Sequence, residues 1–443
     1  MNAVARTLRT IMYKFGVAGL AMVSGLFLVP RYLTVADNGI YKLVLVYAQL
    51  CATYLAGYGN FFNFGLNRQK LPREALVGII MRLYALVAAA AAVLTVICLL
   101  LASERPVFGY VVFAVGTLPL AVLFGYTTKL VQALNEIDWL NRLNTIQALC
   151  FVVFAVTIMV GRHLDAAMTP YLLTLTLTGW FLSYLIAAIT AYVVATRLSG
   201  VKLLPSKHPE LSRQVFAYGR KTSLQQLLTQ FNLRGDLILV GVLAGTTAAS
   251  LYGMAVTASE VLWHISSSIS LLIYARVAAE ERGGSIALIE RTFRFTLALL
   301  VAAAAFMMLV FPPLIHFVLN SRYDRSIPVF EVLLLGTIAY GTTALFSQFF
   351  TDQLGKVKFP LYMQAASIAA NVLICLLLIP RVGIMGGALA SSSAYVVSLT
   401  LCIIYFKQQT KQPLSSLFKV TRADRDLVRR LLPRPRSIHE GGK

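Results

Sequence analysis

Residues 83–102 read LYALVAAAAAVLTVICLLLA, twenty residues in a row without a charged side chain. An α-helix rises about 1.5 Å per residue, so a helix of this length covers about 30 Å, the thickness of the hydrocarbon core of a bilayer. A helix on the surface of a soluble protein has a charged face, which this segment lacks. The segment therefore predicts a membrane-spanning helix near residues 76–101.

The composition of the whole chain agrees with that of the segment. Of its 443 residues, 58% are hydrophobic and 13% are charged, against about 45–50% and about 25% in soluble domains, and the mean hydropathy is +0.74. These values exclude a soluble enzyme, a disordered chain, a collagen and a coiled coil. About twelve apolar segments are long enough to cross a bilayer, near residues 13–33, 40–61, 76–101, 107–131, 143–161, 170–196, 217–244, 248–277, 293–319, 328–350, 358–380 and 384–406. We expect an all-α integral membrane protein.

Basic residues indicate the orientation of the chain. The net charge is +21, from 39 Lys and Arg against 18 Asp and Glu. With the N-terminus in the cytoplasm, about 30 basic residues fall on cytoplasmic segments and about 7 on outer turns. This asymmetry predicts a multi-pass protein with both termini in the cytoplasm and basic loops against anionic membrane lipids. No basic soluble domain stands apart, so nucleic acid is not an expected partner.

The longest polar loop, residues 197–213, divides the apolar segments into two sets of six. We expect an N-terminal six-helix lobe at 1–200, a C-terminal six-helix lobe at 201–406 and a basic tail at 407–443. Gly39-Ile40-Tyr41 and Ser250-Leu251-Tyr252 open corresponding segments of the two halves, a weak sign of the internal repeats that many transporters have. Residues 414–432 either form an amphipathic helix on the inner surface or belong to a disordered tail.

Charged side chains inside membrane spans usually face a cavity or a partner. The basic candidates are Arg31, Lys42, Arg82, Lys129, Arg220, Lys221 and Arg234, and the acidic ones are Asp236, Glu260 and Glu331. Several of the basic residues lie near span ends and can reach the interface. Because cations outnumber anions, the set predicts a cationic cavity that attracts an anionic passenger and repels lipophilic cations. Arginine in addition binds phosphate oxygens through its planar fork.

Asp236, Glu260 and His264 are candidates for coupling transport to an ion. Arg234 and Asp236 are two residues apart, so on a helix they do not face each other. Glu260 and His264 are four apart and share a face, where they either relay a proton, bind a cation or form a structural hydrogen bond.

No catalytic or cofactor-binding pattern is present. The five cysteines lie in apolar segments and form no C-x-x-C pair, so neither a metal site nor a disulfide framework is predicted. H-E-x-x-H, G-x-S-x-G, Walker A and Gly-rich dinucleotide motifs are absent from the sequence. The outer turns are short, which favours transport over membrane-embedded chemistry, and no cofactor is expected.

Two segments resemble a known family. RGDLILVGVLAGTTAASLYGMA at 234–255 and IPRVGIMGGALASSSAY at 379–395 resemble the seventh-to-eighth and last spans of polysaccharide repeat-unit (Wzx-type) flippases. Those proteins belong to the multidrug/oligosaccharidyl-lipid/polysaccharide (MOP) superfamily. Leu354-Gly355-Lys356 and Asn371 also fit the family pattern. Arg234 and Asp236 fall on the matching segment, whereas the other charged candidates rest on charge alone.

The resemblance implies a MATE-like fold of two six-helix lobes around a central cavity that opens alternately to each side. It implies a flippase of the bacterial inner membrane that moves an undecaprenyl-diphosphate-linked oligosaccharide, a precursor of O-antigen, exopolysaccharide or capsule, from the inner to the outer leaflet. A polysaccharide polymerase and a chain-length regulator are the implied protein partners. Removal of the charge at Arg82 or Arg234 is then expected to impair polymer export.

Three other functions remain open from the sequence. A cation-coupled multidrug exporter of the same superfamily often keeps an acidic residue in the first or seventh span; the first span here has none, whereas Asp236 lies in the seventh. The lipid II flippase branch typically has fourteen spans, so twelve fit it less well. A membrane enzyme of polysaccharide assembly and a non-transporting scaffold are the other two alternatives.

Overall fold

The computed structural model describes residues 3–102, 107–279, 282–350, 354, 356 and 358–419. Within these ranges the chain is helical and contains no strand. Helices are the form that a bilayer favours, because each one satisfies its own backbone N–H and C=O groups without water.

Six long helices form the first half of the chain. Three of them are α3 (Arg73–Ala102), α4 (Val107–Ala133) and α5 (Ile137–Leu164), and α6 (Leu172–Ser199) follows a 3₁₀ turn at Ala166–Tyr171. The first two helices contain irregular turns. Helix α1 consists of Ala3–Met22, a π-helical turn at Val23–Leu28, and a last turn at Val29–Tyr32. Helix α2 begins with Val35–Ala56. It continues through a 3₁₀ turn at Gly57–Asn60, the short stretch Phe61–Asn63, and a π-helical turn at Phe64–Arg68.

The second half begins with a long helix that carries many polar side chains. Its elements are α7 (Pro209–Ala244), α8 (Thr246–Ser259), α9 (Val261–Ala279), α10 (Arg282–Leu319), α11 (Ser326–Gln348), α12 (Lys358–Val382), α13 (Ile384–Thr410) and the short α14 (Ser415–Phe418). The predicted tail helix at 414–432 lies mostly outside the described residues, and α13 already includes residues 407–410.

Eleven helical segments of the described chain are long and apolar enough to cross a membrane. The remaining predicted span, 248–277, consists of two consecutive helices, α8 and α9, which meet at Glu260. The predicted all-α membrane fold is therefore confirmed, with one span broken at an acidic residue.

Apolar side chains cover the outside of the bundle. Leu309 and Phe317 of α10 are 77% and 86% exposed, and Leu86 and Val93 of α3 are each 61% exposed. On a soluble monomer such a surface would be an aggregation hazard. In this protein it is the surface that contacts lipid tails.

The ends of the bundle form two faces. The α2–α3, α4–α5 and α6–α7 connections lie on one face, where the backbone N–H of Ser206 donates to the carbonyl of Gly78. We name it the basic face, because Arg68, Lys70, Arg73, Lys202 and Lys207 lie there. The α1–α2 and α7–α8 connections lie on the opposite face.

Four apolar cores hold the helices together. Two are built chiefly from α1–α6, around Phe61 and Tyr126 and around Tyr41 and Trp180. The other two are built chiefly from α7–α13. The division into lobes at 200/201 stays a prediction, since each of the larger cores also takes residues from the other half.

Helix α2 contacts the second half near its start and again at its 3₁₀ turn. Towards the opposite face, Asn38 Nδ2 donates to Ser250 Oγ at 2.7 Å, and Gly39 lies against the carbonyl oxygen of Thr246, where a Cβ would overlap it. Towards the basic face, Thr222 Oγ1 donates to the carbonyl of Gly57 at 3.0 Å. The two short motifs that suggested an internal repeat, at 39–41 and 250–252, thus lie on the contacting helices α2 and α8.

Gly39→Ala is expected to lower the stability of the bundle. The added methyl group meets backbone atoms of α8, which cannot rotate away, so α2 and α8 must separate at a cost of about 1–3 kcal/mol. Thermal unfolding of the purified protein in detergent measures the effect.

Gly109→Ala in α4 is the matched control, because a Cβ there has no atom within 4 Å. That change is expected to be neutral or stabilising, since alanine favours the helix over glycine. Equal melting temperatures for the two variants would show that the α2–α8 contact does not limit stability.

Candidate functional site

A cavity of about 450 Å³ lies where the two halves of the chain meet. Its walls come from α1, α2, α4, α5 and α6 on one side and from α7 and α8 on the other. A volume of this size falls within the range of pockets for small ligands or ligand groups. The charged residues in its lining are two cations, Lys42 and Arg234, and no carboxylate belongs to it among the described residues.

The wall from the first half is aromatic. Tyr41 and Phe151 stack with ring centroids 6.1 Å apart, and Trp180 meets Tyr184 edge-on at 5.6 Å. All four side chains line the cavity. This wall offers flat apolar surface with polar tips at its tyrosines.

Lys42 crosses from the first half to the second. It lies on α2, is only 7% exposed, and donates through Nζ to the carbonyl of Gly253 at 3.2 Å and to Thr257 Oγ1 at 3.4 Å. Gly253 leaves room for the lysine stem, because a Cβ at that position would lie 2.7 Å from Lys42 Cδ. The ammonium group is therefore anchored on α8 by neutral oxygens.

Arg234 on α7 pairs with Glu260 at the break between α8 and α9. The guanidinium group contacts both carboxylate oxygens, with Nη2 donating to Oε2 at 3.0 Å. Lys42 and Arg234 line the same cavity. These three residues, which we name the central charge cluster, hold two cations and one anion and carry a net positive charge.

Asp236 belongs to a different network. It is 2% exposed, and its Oδ2 accepts from Tyr252 Oη and Ser391 Oγ, each at 2.6 Å. Asn371 Nδ2 donates to the same Ser391 hydroxyl at 3.1 Å. The carboxylate thus ties together α7, α8, α12 and α13, and it points away from Arg234 as the two-residue spacing predicts. No cluster of three or more His, Cys, Asp or Glu side chains that could hold a metal occurs in the described part of the chain.

Three further cavities lie near the central one, and two of them share lining residues with it. A side cavity of about 520 Å³ opens between α1, α5 and the α8–α9 break, contains Glu260 and His264, and shares Val17, Ala21 and Gln147 with the central cavity. Two more, of about 420 and 680 Å³, lie towards the basic face between α2, α4 and α7.

The comparison with known families agrees with the sequence resemblance. The model of a family described as polysaccharide biosynthesis protein matches residues 155–328, a range that includes Arg234, Asp236, Glu260 and His264. A search of curated proteins found no match.

Solved structures with a similar fold cover nearly the whole chain. The lipid II flippase MurJ in an inward closed conformation superposes with a TM-score of 0.75 at 12% identity, over 96% of this chain and 92% of that one. An inward-facing multidrug resistance MATE family transporter of the MOP superfamily gives a TM-score of 0.65 at 12% identity, over 93% of this chain and 96% of that one. A MOP superfamily transporter from Pyrococcus furiosus gives a TM-score of 0.57 at 14% identity, over 94% of this chain and 96% of that one.

This chain has the MOP fold. The family match and the fold together confirm the resemblance drawn from residues 234–255 and 379–395. At these sequence identities the solved structures establish the MOP fold and leave substrate and coupling to be argued from the residues of this chain.

The MOP fold separates the predicted site residues into groups. Lys42, Arg234 and Glu260 meet in the central charge cluster, and His264 lines the side cavity next to it. Lys129 lines the larger cavity on the basic face. The four other basic candidates have exposed side chains and line none of these four cavities: Arg31, Arg82, Arg220 and Lys221.

The pairing of Arg234 with Glu260 is the feature that sequence reasoning missed. Each residue was a candidate by itself, and Glu260 was paired with His264 on helical spacing. Glu260 ends α8 with an α-helical backbone conformation, and both Glu260 and His264 line the side cavity, so the pairing of Glu260 with His264 stays a prediction. A carboxylate in the middle of an apolar span was the available signal that the span is not one regular helix.

A double-mutant cycle on Arg234→Gln and Glu260→Gln is expected to show a coupling free energy of about 1–2 kcal/mol. The side chains are only 22% and 15% exposed, so removing one partner leaves a charge poorly solvated, whereas removing both does not. Thermal or denaturant unfolding of the four proteins provides the measurement.

The pair Arg9–Asp138 is the internal control. Its side chains are 40% and 49% exposed, and such surface pairs contribute about 1 kcal/mol or less. A coupling at Arg234–Glu260 no larger than at Arg9–Asp138 would contradict the assignment of a partly buried, structurally important ion pair.

Proposed function

We propose that the protein is a flippase that moves an undecaprenyl-diphosphate-linked oligosaccharide from the inner to the outer leaflet of a bacterial inner membrane. One observation carries the proposal: the central cavity is lined by two cations, one from each half of the chain, and by no carboxylate among the described residues. The family match to polysaccharide biosynthesis proteins and the MOP fold support it.

The diphosphate group suits the central charge cluster. A charge-assisted hydrogen bond to phosphate is stronger than a neutral one, and arginine binds two phosphate oxygens at once. The attraction is larger in the low dielectric of a membrane bundle than in water. The incoming diphosphate would take the place of the Glu260 carboxylate on Arg234 and draw Lys42 from its carbonyl partner on α8.

This exchange of partners gives the substrate a way to act on conformation. Lys42 and Arg234 belong to different halves, and Lys42 is anchored across the α2–α8 contact. A ligand that binds both cations favours whichever arrangement of the halves places them around it. We propose alternating access on this basis, with the basic face and both termini in the cytoplasm.

The lipid and the protein partners follow from the same assignment. The side cavity between α1, α5 and α8–α9 adjoins the central cavity, and we propose that the polyprenyl chain stays in the bilayer beyond it. Membrane lipids surround the apolar outer surface. A polysaccharide polymerase and a chain-length regulator would act on the flipped product.

Deletion of the gene in its host is expected to trap lipid-linked oligosaccharide in the inner leaflet. A membrane-impermeant glycan probe applied to spheroplasts should detect it only after permeabilisation. When Lys42→Gln or Arg234→Gln is expressed in the deletion strain at a normal protein level, export should be about tenfold or more below that given by the wild type. Each change removes a charge from the diphosphate site.

The outcomes separate the competing functions. The sequence alone predicted that Arg82→Gln impairs export, but the Arg82 side chain is exposed outside the cavities, so we expect this variant to restore export fully and use it as the control. Arg234→Lys separates a need for charge from a need for the guanidinium fork. Oligosaccharide exposed on the outer leaflet of the deletion strain would favour a polymer-assembly enzyme, and no accumulation at all would favour a drug exporter.

Asp236→Asn is expected to abolish transport while the protein remains folded. We propose that this buried carboxylate binds the coupling proton or cation, because it is surrounded by hydroxyl groups and has no basic hydrogen-bond partner. Tyr252→Phe removes one of those hydroxyl groups without changing a charge and is expected to keep most activity. Transport in proteoliposomes under imposed ion gradients tests both variants, and a normal rate for Asp236→Asn would rule out the coupling role.

A further inference from the structure

The two cavities on the basic face differ from the central one in chemistry. The smaller is lined by three residues of α2, Thr53, Ala56 and Asn60, and by five residues of α7, Thr222, Gln225, Gln226, Thr229 and Gln230. The larger shares Asn60 and Thr222 with it and continues along α2 past Asn63 and Asn67. No carboxylate belongs to either lining among the described residues. We name these two connected cavities the amide vestibule.

Several amides of the vestibule have unused hydrogen-bonding capacity. Within the described ranges, the side chains of Asn60, Gln225, Gln226 and Gln230 make no hydrogen bond to another protein group. Amides that served only to join helices would be paired, as Asn67 is with the backbone carbonyl of Ala133 on α4 at 3.2 Å. Asn60, Gln226 and Gln230 are half-buried and Gln225 is exposed, so these amides are accessible to a ligand that enters the cavity.

The backbone of α2 is irregular along the vestibule. The 3₁₀ turn at Gly57–Asn60 and the π-helical turn at Phe64–Arg68 lie on either side of Asn63. Such turns redirect side chains, and π-helical turns occur frequently at functional sites. Here they bring polar residues of α2 towards α7, next to the stacked rings of Phe64 and Tyr218, whose centroids are 4.9 Å apart.

The vestibule adjoins the central cavity through Thr53 and Ala56, which line both. The central cavity alone has about 450 Å³, and a diphosphate with a repeat unit of several sugars needs more room. The vestibule adds two cavities of about 420 and 680 Å³ on the side from which a cytoplasmic substrate would enter.

We propose that the amide vestibule is the binding site for the oligosaccharide portion of the substrate. An amide presents both donors and an acceptor, which matches a sugar hydroxyl that also donates and accepts. A lipid tail would leave the amides unsatisfied. A phosphate group would favour cations, but the smaller cavity has no basic residue in its described lining, and in the larger one Arg68 and Lys129 lie among four amides, Asn60, Asn63, Asn67 and Gln132. The inference rests on the proposed function and assigns the sugar to residues other than those of the diphosphate site.

The test compares two ligands on the full-length protein in lipid nanodiscs. One ligand is undecaprenyl diphosphate without sugar, and the other is the lipid-linked oligosaccharide purified from the host strain that lacks the protein. We expect the wild type to bind the glycosylated lipid more tightly, as measured by titration with native mass spectrometry. The combined Gln225→Ala, Gln226→Ala and Gln230→Ala variant should lose about tenfold or more in affinity for the glycosylated lipid and stay within about twofold for the bare diphosphate.

Two further variants keep the test decisive. Asn60→Ala changes the other wall of the vestibule and should show the same selective loss, at about three- to tenfold, even where the triple variant does not fold. Gln214→Ala is the matched control, because this exposed glutamine lies on the same helix and lines none of the described cavities.

Each remaining outcome has one meaning. Equal loss for both ligands, or no loss for either, would overturn the assignment of the vestibule to the sugar. A wild type that binds both ligands with the same affinity would also overturn it and leave the proposed flippase function standing. A wild type that binds neither ligand would overturn the proposed function itself.

Discussion

The close approach of α2 to α7 and α8 is the contact on which the rest of the structure depends. Gly39 and Gly57 bring the backbone of α2 against that of the second half at two points 18 residues apart. Lipid tails are as apolar as leucine, so helices in a membrane associate through such close packing and through hydrogen bonds. Because α2 is held at both points, the segment between them is fixed beside α7 and α8, and Lys42 in that segment reaches the cavity wall formed by the other half.

The charged groups between the halves follow a simple division. The central charge cluster lies at the junction of the halves and contains two basic residues and one acidic residue. Asp236 lies within the second half and accepts hydrogen bonds from hydroxyl groups. Buried charges persist only when paired or hydrogen-bonded. In the proposed mechanism, a ligand can therefore exchange partners in the cluster without disturbing the Asp236 network, and an ion bound at Asp236 would act on the packing of α7, α8, α12 and α13 instead.

The sequence predicted the features that depend on composition and on the spacing of apolar residues. It did not predict contacts between residues that are distant in the chain. Apolar segments and turns located the helices, and residues 234–255 and 379–395 indicated the superfamily. Charge inside spans identified Lys42, Arg234 and Glu260 as candidates. It did not show that they lie close together, because Lys42 and its hydrogen-bond acceptor on α8, Gly253, are 211 residues apart in the chain. Arg82 was a candidate on the same ground, and only its exposure on α3 distinguishes it. The open amides of α7 were visible as a polar stretch, whereas the cavity they line required the structure.

The anchoring of Lys42 on the Gly253 carbonyl has a consequence for leakage. Separation of α2 from α8 in the absence of substrate must break this bond and the one to Thr257 without a compensating ligand. An unloaded molecule therefore pays a free-energy penalty for cycling that a loaded one does not. In the proposed flippase, the lysine that attracts the anionic substrate thus also acts as a latch, which limits slippage of ions through an idle molecule.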